Sequence, residues 1–207
     1  KLKANLKIIL TFLSVCFVIF LVFQVYNIYT LNQIQNNSIA FFKIQNLKDI
    51  NAIKDPILEL SEKNNFYGIL SKLELIKINL EEQNIINVTS LYNELLENKN
   101  LENVYRSALA SKATYEFINL NFNDLTKDYI KTIETFILKI DNNLIGYKGI
   151  KLELNYLLSI LKAKKNNIEY LNYEEALTLY ETIINSESAS IQVKERINKI
   201  HEFFSYK

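Results

Sequence analysis

Few residues in this chain could do chemistry, and those few lack company. His201 and Cys16 are the only histidine and the only cysteine in 207 residues. A structural or catalytic zinc site draws three or four nitrogen, sulfur or carboxylate ligands together, which one His and one Cys do not supply. A single cysteine forms no intramolecular disulfide, and His201 is expected to pack or to lie at the surface. The carboxylate pairs Glu81-Glu82 and Glu174-Glu175 suggest acid and base partners. Neighbours on a helix point about 100° apart, however, so each pair reads as a solvated face. The spacing of a calcium-binding EF-hand loop is absent. Lys162, Lys164 and Lys165 form a basic helix end that complements the helix dipole. Asn36 and Asn87 head glycosylation-type triplets, which an Asn-rich chain produces by chance. No catalytic residue, metal or cofactor is expected, and a net charge of +1 gives no reason to expect nucleic acid.

What must be positioned is therefore a surface rather than a reaction centre. Hydrophobic residues make up 49% of the chain, with 3 Gly and 1 Pro, a composition that favours helices. Residues 8–26, with Ile8 and Tyr26 as ends, read IILTFLSVCFVIFLVFQVY without a charge. At about 1.5 Å per residue they match a bilayer core. Lys1, Lys3 and Lys7 precede them, and the next charge is Lys43. The positive-inside rule then places residues 1–7 in the cytoplasm and the rest outside. Tyr26 and Tyr29 would sit in an aromatic belt. A cleaved leader lacks its small-residue cleavage site here, and a lipid-modified Cys16 would end the apolar run rather than stand inside it. An uncleaved single-pass anchor is the expected form. Beyond Tyr26 lie 21 basic and 23 acidic residues, a net charge of −2, which selects neither acidic nor basic partners.

Past the anchor the apolar spacing is helical. Residues 27–65 are expected as a membrane-proximal helical linker, with a break in the polar run NQIQNNS at 32–38 and a helix start at Asp55-Pro56. Residues 66–207 are expected as the main domain. Gly68 marks its first junction, and helices follow over about 69–82, 87–97, 101–120 and 125–139. A glycine-containing loop at 141–149 comes next, and then helices over about 150–164, 172–185 and 191–204.

Two stretches, NIINVTSLYNELL from Asn84 and NYEEALTLYETII from Asn172, overlay without a gap. Leu91 meets Leu179, Tyr92 meets Tyr180, and Val88 meets Ala176. All fall on apolar stripes and are expected to pack helices together. The second stretch resembles the second helix of a tetratricopeptide repeat: Asn172 and Tyr173 take the opening, Ala176 the small position and Tyr180 the later aromatic. The layout of a short flank, one membrane helix and an external helical array is similar to the YfgM-like ancillary translocon-subunit group of bacteria.

The resemblance implies an all-α fold, in which a transmembrane helix is followed by a tetratricopeptide-like array of helical hairpins. It also implies a non-enzymatic scaffold at the bacterial inner membrane, with most of the chain in the periplasm. Partners would be envelope or inner-membrane proteins, within a large assembly such as a translocon, a chaperone network or a flagellar motor. A ligand-sensing helical bundle is the alternative. Tyr67, Tyr147, Tyr170 and Tyr206, placed in breaks or near the end, are the candidate interface residues, since tyrosine is enriched at binding hot spots.

Overall fold

The computed structural model describes residues 2–47 and 49–206, the side chains of 2–9, 50 and 51 excepted. Every regular element among them is helical. The chain divides into two compact units between Asn84 and Ile85.

The first unit holds α1 (Leu2–Gln45), α2 (Ile50–Ser61) and α3 (Phe66–Glu81). Forty-four residues make α1 about 66 Å long, well beyond the hydrocarbon thickness of a bilayer. The expected break at 32–38 is not there. Asn, Gln and Ser lower helix propensity by only tenths of a kcal/mol each, and no Gly or Pro interrupts the run. The run also makes its own bonds, Gln33 Nε2 donating to the Tyr29 hydroxyl at 2.6 Å. Tyr26 is therefore the end of the apolar run but not of the helix. Ile8 is helical too, and its side chain lies outside those described. From Leu10 to Phe23 the large apolar side chains are exposed, whereas Phe41 and Ile44 are buried where the end of α1 packs on α2 and α3.

Pro56 lies inside α2 rather than at its start. The helix begins at Ile50, so the missing Pro56 N–H withholds one bond from the Ala52 carbonyl, and α2 carries that loss near its beginning. Asn65 caps α3, its Oδ1 accepting from the Tyr67 and Gly68 amides at 3.0 and 3.2 Å. Gly68 sits in the first turn of α3, not at a junction. A Cβ there would collide with the Lys63 carbonyl, so the close turn from α2 into α3 requires glycine. Because α2 and α3 pack together, a boundary between residues 65 and 66 cuts through this unit.

The second unit holds α4 (Ile85–Glu97), α5 (Asn103–Asn123), α6 (Ile130–Leu138), α7 (Ile145–Lys165), α8 (Glu174–Asn185) and α9 (Ile191–Ser205), with a 3-10 turn at Tyr170–Asn172. Its centre is α7, which packs against α5, α6, α8 and α9. The expected loop at 141–149 is shorter, because α7 starts at Ile145 and takes in both of its glycines. At Gly149 the α8–α9 connection comes so close that an added Cβ would stand 2.8 Å from the Ser188 carbonyl. The fourth expected helix shrinks to α6. Residues 124–129 form a loop held by Asn121, whose Nδ2 donates to the Lys127 carbonyl at 2.8 Å and whose Oδ1 accepts from the Tyr129 amide at 3.1 Å.

Two helices end in the same way. Gln83 and Asn167 take left-handed backbone conformations, φ 58° and 53°. The next amides, Asn84 and Ile168, donate back to the Asn79 and Ala163 carbonyls at 2.8 and 2.9 Å. This is the Schellman closure, which satisfies carbonyls that the helix itself leaves open.

Candidate functional site

A line of hydrogen-bonded aromatic side chains runs between α7 and α9 in the second unit. The Tyr156 and Tyr170 hydroxyls are 2.8 Å apart, and the Tyr170 hydroxyl lies 2.5 Å from His201 Nδ1. The His201 ring stacks on Tyr180, with centroids 3.8 Å apart and planes at 11°. The Tyr180 hydroxyl donates to Asn198 Oδ1 at 3.0 Å. Around this line pack Ile160, Ala176, Ile183, Val193 and Ile197.

The line ties α7, the 3-10 turn and α9 together. Burial pushes the Tyr170 and Tyr156 phenols above their ordinary value of 10. His201 is half-buried and packs on Tyr180, with its Nε2 3.5 Å from the Ser205 hydroxyl.

Beside Tyr170 opens a cleft of about 350 Å³, lined by Ile160, Ala163, Ile168 and Phe204, with Lys164 at its rim. The Lys164 ammonium stands 5.2 Å from the Phe122 ring centre and 5.6 Å from that of Phe204, within cation–π range. Glu169 also lines it, so the apolar floor carries one carboxylate and one ammonium and favours neither sign of ligand. Among the described residues no three His, Cys, Asp or Glu side chains cluster as a metal ion requires.

The packing residues lie on the inner faces of their helices. Tyr92 and Ala176 are fully buried, while Leu91, Leu179 and Tyr180 are half-buried. The two overlaid tyrosines share a habit: each sends its hydroxyl to the following helix. Tyr92 donates to Glu116 Oε2 on α5 at 2.5 Å, and Tyr180 donates to Asn198 on α9. They differ in their ring neighbours, Phe136 for Tyr92 and His201 for Tyr180.

The interface candidates separate. Tyr206 is 90% exposed, and Tyr67 and Tyr147 are half-buried. Tyr170 is 7% exposed and faces the core, which removes it as a surface residue. The reason is the 3-10 turn, which rolls the ring inward from a segment that reads as a polar connection.

Sequence reasoning missed the ion pair of Glu153 with Arg196 and the anchoring of the α4–α5 connection by Arg106. Arg106 Nη2 donates to the Asn98 and Leu101 carbonyls at 3.0 and 2.8 Å, and its Nε donates to the Leu96 carbonyl at 3.1 Å. The available signal was rarity: the chain has only two arginines, and each is committed to a structural bond. No known protein family matches the chain, and no curated protein or solved structure matches it either.

Proposed function

We propose that this chain is a non-enzymatic, membrane-anchored scaffold, whose helical units dock other envelope proteins at a bacterial inner membrane. The observation that carries the reading is the continuity of α1. One helix runs from an exposed, uncharged stretch of bilayer length into the packed end at Phe41 and Ile44. A helix solvated by lipid along one part and by protein along the next suits a fixed mount. The lysines before the apolar run favour a cytoplasmic start and a periplasmic body. The pairing of α4 with α5 and of α8 with α9, each tied by a tyrosine hydroxyl, supports a tetratricopeptide-like plan.

Crosslinking in cells tests the reading. Photo-reactive residues at Tyr67, Tyr147 and Tyr206 are expected to trap a small, reproducible set of envelope or inner-membrane proteins. Scattered capture with no repeated partner would reject it. Reporter fusions after Ser205 are expected to signal from the periplasmic side.

The cleft beside Tyr170 favours a second reading, an extracytoplasmic helical-bundle sensor of a small ligand. Heat stabilisation of the detergent-purified chain by small metabolites, without protein capture in cells, would select it.

A further inference from the structure

The three lysines that close α7 differ in their partners. Lys162 pairs with Glu134 on α6 at 2.9 Å, and Lys165 pairs with Asp128 at 3.1 Å. Lys164 has no carboxylate partner among the described residues, and its ammonium lies over the Phe122 and Phe204 rings instead. Glu169 has no cation partner among them either; its Oε2 accepts from Asn172 Nδ2 at 3.3 Å. Both residues are exposed, both line the cleft of about 350 Å³ beside Tyr170, and they do not pair with each other.

The closure of α7 brings the two charges to one cleft. With Asn167 left-handed, the Ile168 amide folds back onto the Ala163 carbonyl, and Glu169 returns beside the last turn of α7. The 3-10 turn that follows buries Tyr170 but leaves Leu171 exposed, as Ile168 is. Between the charges the cleft thus offers uncovered apolar surface. Two other clefts of the second unit lack this combination. The one at the start of α8 presents Glu174 and Glu175 without a cation. The one at the start of α9 presents Glu187 and Arg196, but Glu153 already holds that guanidinium.

We propose that this cleft binds a free apolar amino acid as its zwitterion, the carboxylate toward Lys164, the ammonium toward Glu169 and the side chain against Ile168 and Leu171. Charge complementarity selects this ligand class. An α-amino acid carries both charges and an apolar arm on one carbon, so it answers three features of the cleft together. A ligand with one charge leaves one of the two side chains unanswered and sets its own sign against it, an anion against Glu169 or a cation against Lys164. The proposal rests on the reading of the cleft as a small-ligand site.

The test uses the full chain in uncharged maltoside micelles at constant pH, with the histidine ring as the reporter. The chain has a single histidine, so its imidazole gives one set of magnetic-resonance signals. His201 meets two residues of the cleft, Tyr170 through a hydrogen bond and Ser205 at 3.5 Å. L-leucine is expected to shift these signals saturably. Isocaproate, which lacks the ammonium, and isoamylamine, which lacks the carboxylate, are expected to bind about threefold to tenfold more weakly. Lys164→Gln should weaken leucine to the level of the amine, and Glu169→Gln to the level of the acid. Both variants should keep their helicity by circular dichroism, since both side chains are exposed. Phosphatidylethanolamine added to the micelles carries the same two charges and is expected to leave the signals in place; a shift would reassign the cleft to a lipid headgroup. No saturable shift with leucine, an analogue that binds as tightly, or variants that bind leucine unchanged would each overturn the zwitterion. The sensor reading is judged separately, by heat stabilisation with other small metabolites, so the two can fail apart.

Discussion

Arg196 on α9 grips Glu153 on α7 with two prongs, its Nε–H donating to Oε1 at 2.8 Å and an Nη2–H to Oε2 at 2.6 Å. The carboxylate is 3% exposed and the guanidinium side chain 51%. The acid has thus left water while its partner keeps one foot in it. The bond from Glu153 raises Arg196 further above its already high range, and burial raises the neighbouring Tyr115 phenol.

Removing one partner is expected to cost far more than removing both. Arg196→Ala strands a buried carboxylate, and we expect a loss of about 2–4 kcal/mol, discounted from the fully buried case because Arg196 is half in solvent. Glu153→Leu with Arg196→Leu should recover more than half of that loss. Urea unfolding followed by circular dichroism measures both, and a double variant as unstable as the single one would contradict the account.

The two glycines at the start of α7 are expected to respond with opposite signs. Gly149→Ala drives a methyl group against the Ser188 carbonyl and the Ala189 backbone, at an expected cost of about 1–3 kcal/mol. Gly146 has open space around its missing Cβ, so Gly146→Ala should stabilise the helix by about 0.5–1 kcal/mol. Thermal melts of the two variants read the contrast directly.

Gln83 bears a left-handed backbone with a side chain that resists it. Gln83→Gly relieves the clash between Cβ and the carbonyl oxygen and is expected to raise stability by about 1 kcal/mol. Gln83→Val should lower it. A melt in which glycine and valine behave alike would show that the turn is not under this constraint.

Alkali is expected to unfold the second unit through its buried phenols. Tyr92 and Tyr156 are fully buried, and burial, first among the causes, pushes both above the ordinary tyrosine value of 10. A raised folded pKa means that the unfolded chain gives up the proton first. The stabilisation is complete below pH 10 and fades as pH rises above it. Phenolate absorbance in the ultraviolet should therefore appear in two stages, exposed tyrosines such as Tyr206 first and the rest together with loss of helicity. Tyr92→Phe should delay the second stage.

How much of this was legible depended on whether a feature was local. The candidate span was plain, because nineteen uncharged residues make a helix long and apolar enough to cross a membrane whatever follows in the chain. Most helices were legible for the same reason, since the 3.6-residue stripe is written in each segment. Pro56 and the α7 glycines were misread because punctuation residues also occur inside helices: Gly149 is a glycine within α7 because the Ser188 backbone, in the α8–α9 connection, passes too close for a Cβ. Tyr170 was misjudged in the same way, since only the ring partners Tyr156 and His201 disclose that its connection folds inward.

The unbroken course of α1 has a mechanical consequence. With neither Gly nor Pro between Leu10 and Gln45, the helix has no hinge at which motion of its apolar end could dissipate. On the proposed reading of α1 as a membrane span, a tilt or rotation of that end reaches Phe41 and Ile44 as a lever arm delivers it, and the three-helix unit turns with it. A protein docked on that unit would then feel the thickness and tension of the bilayer through a single rigid rod.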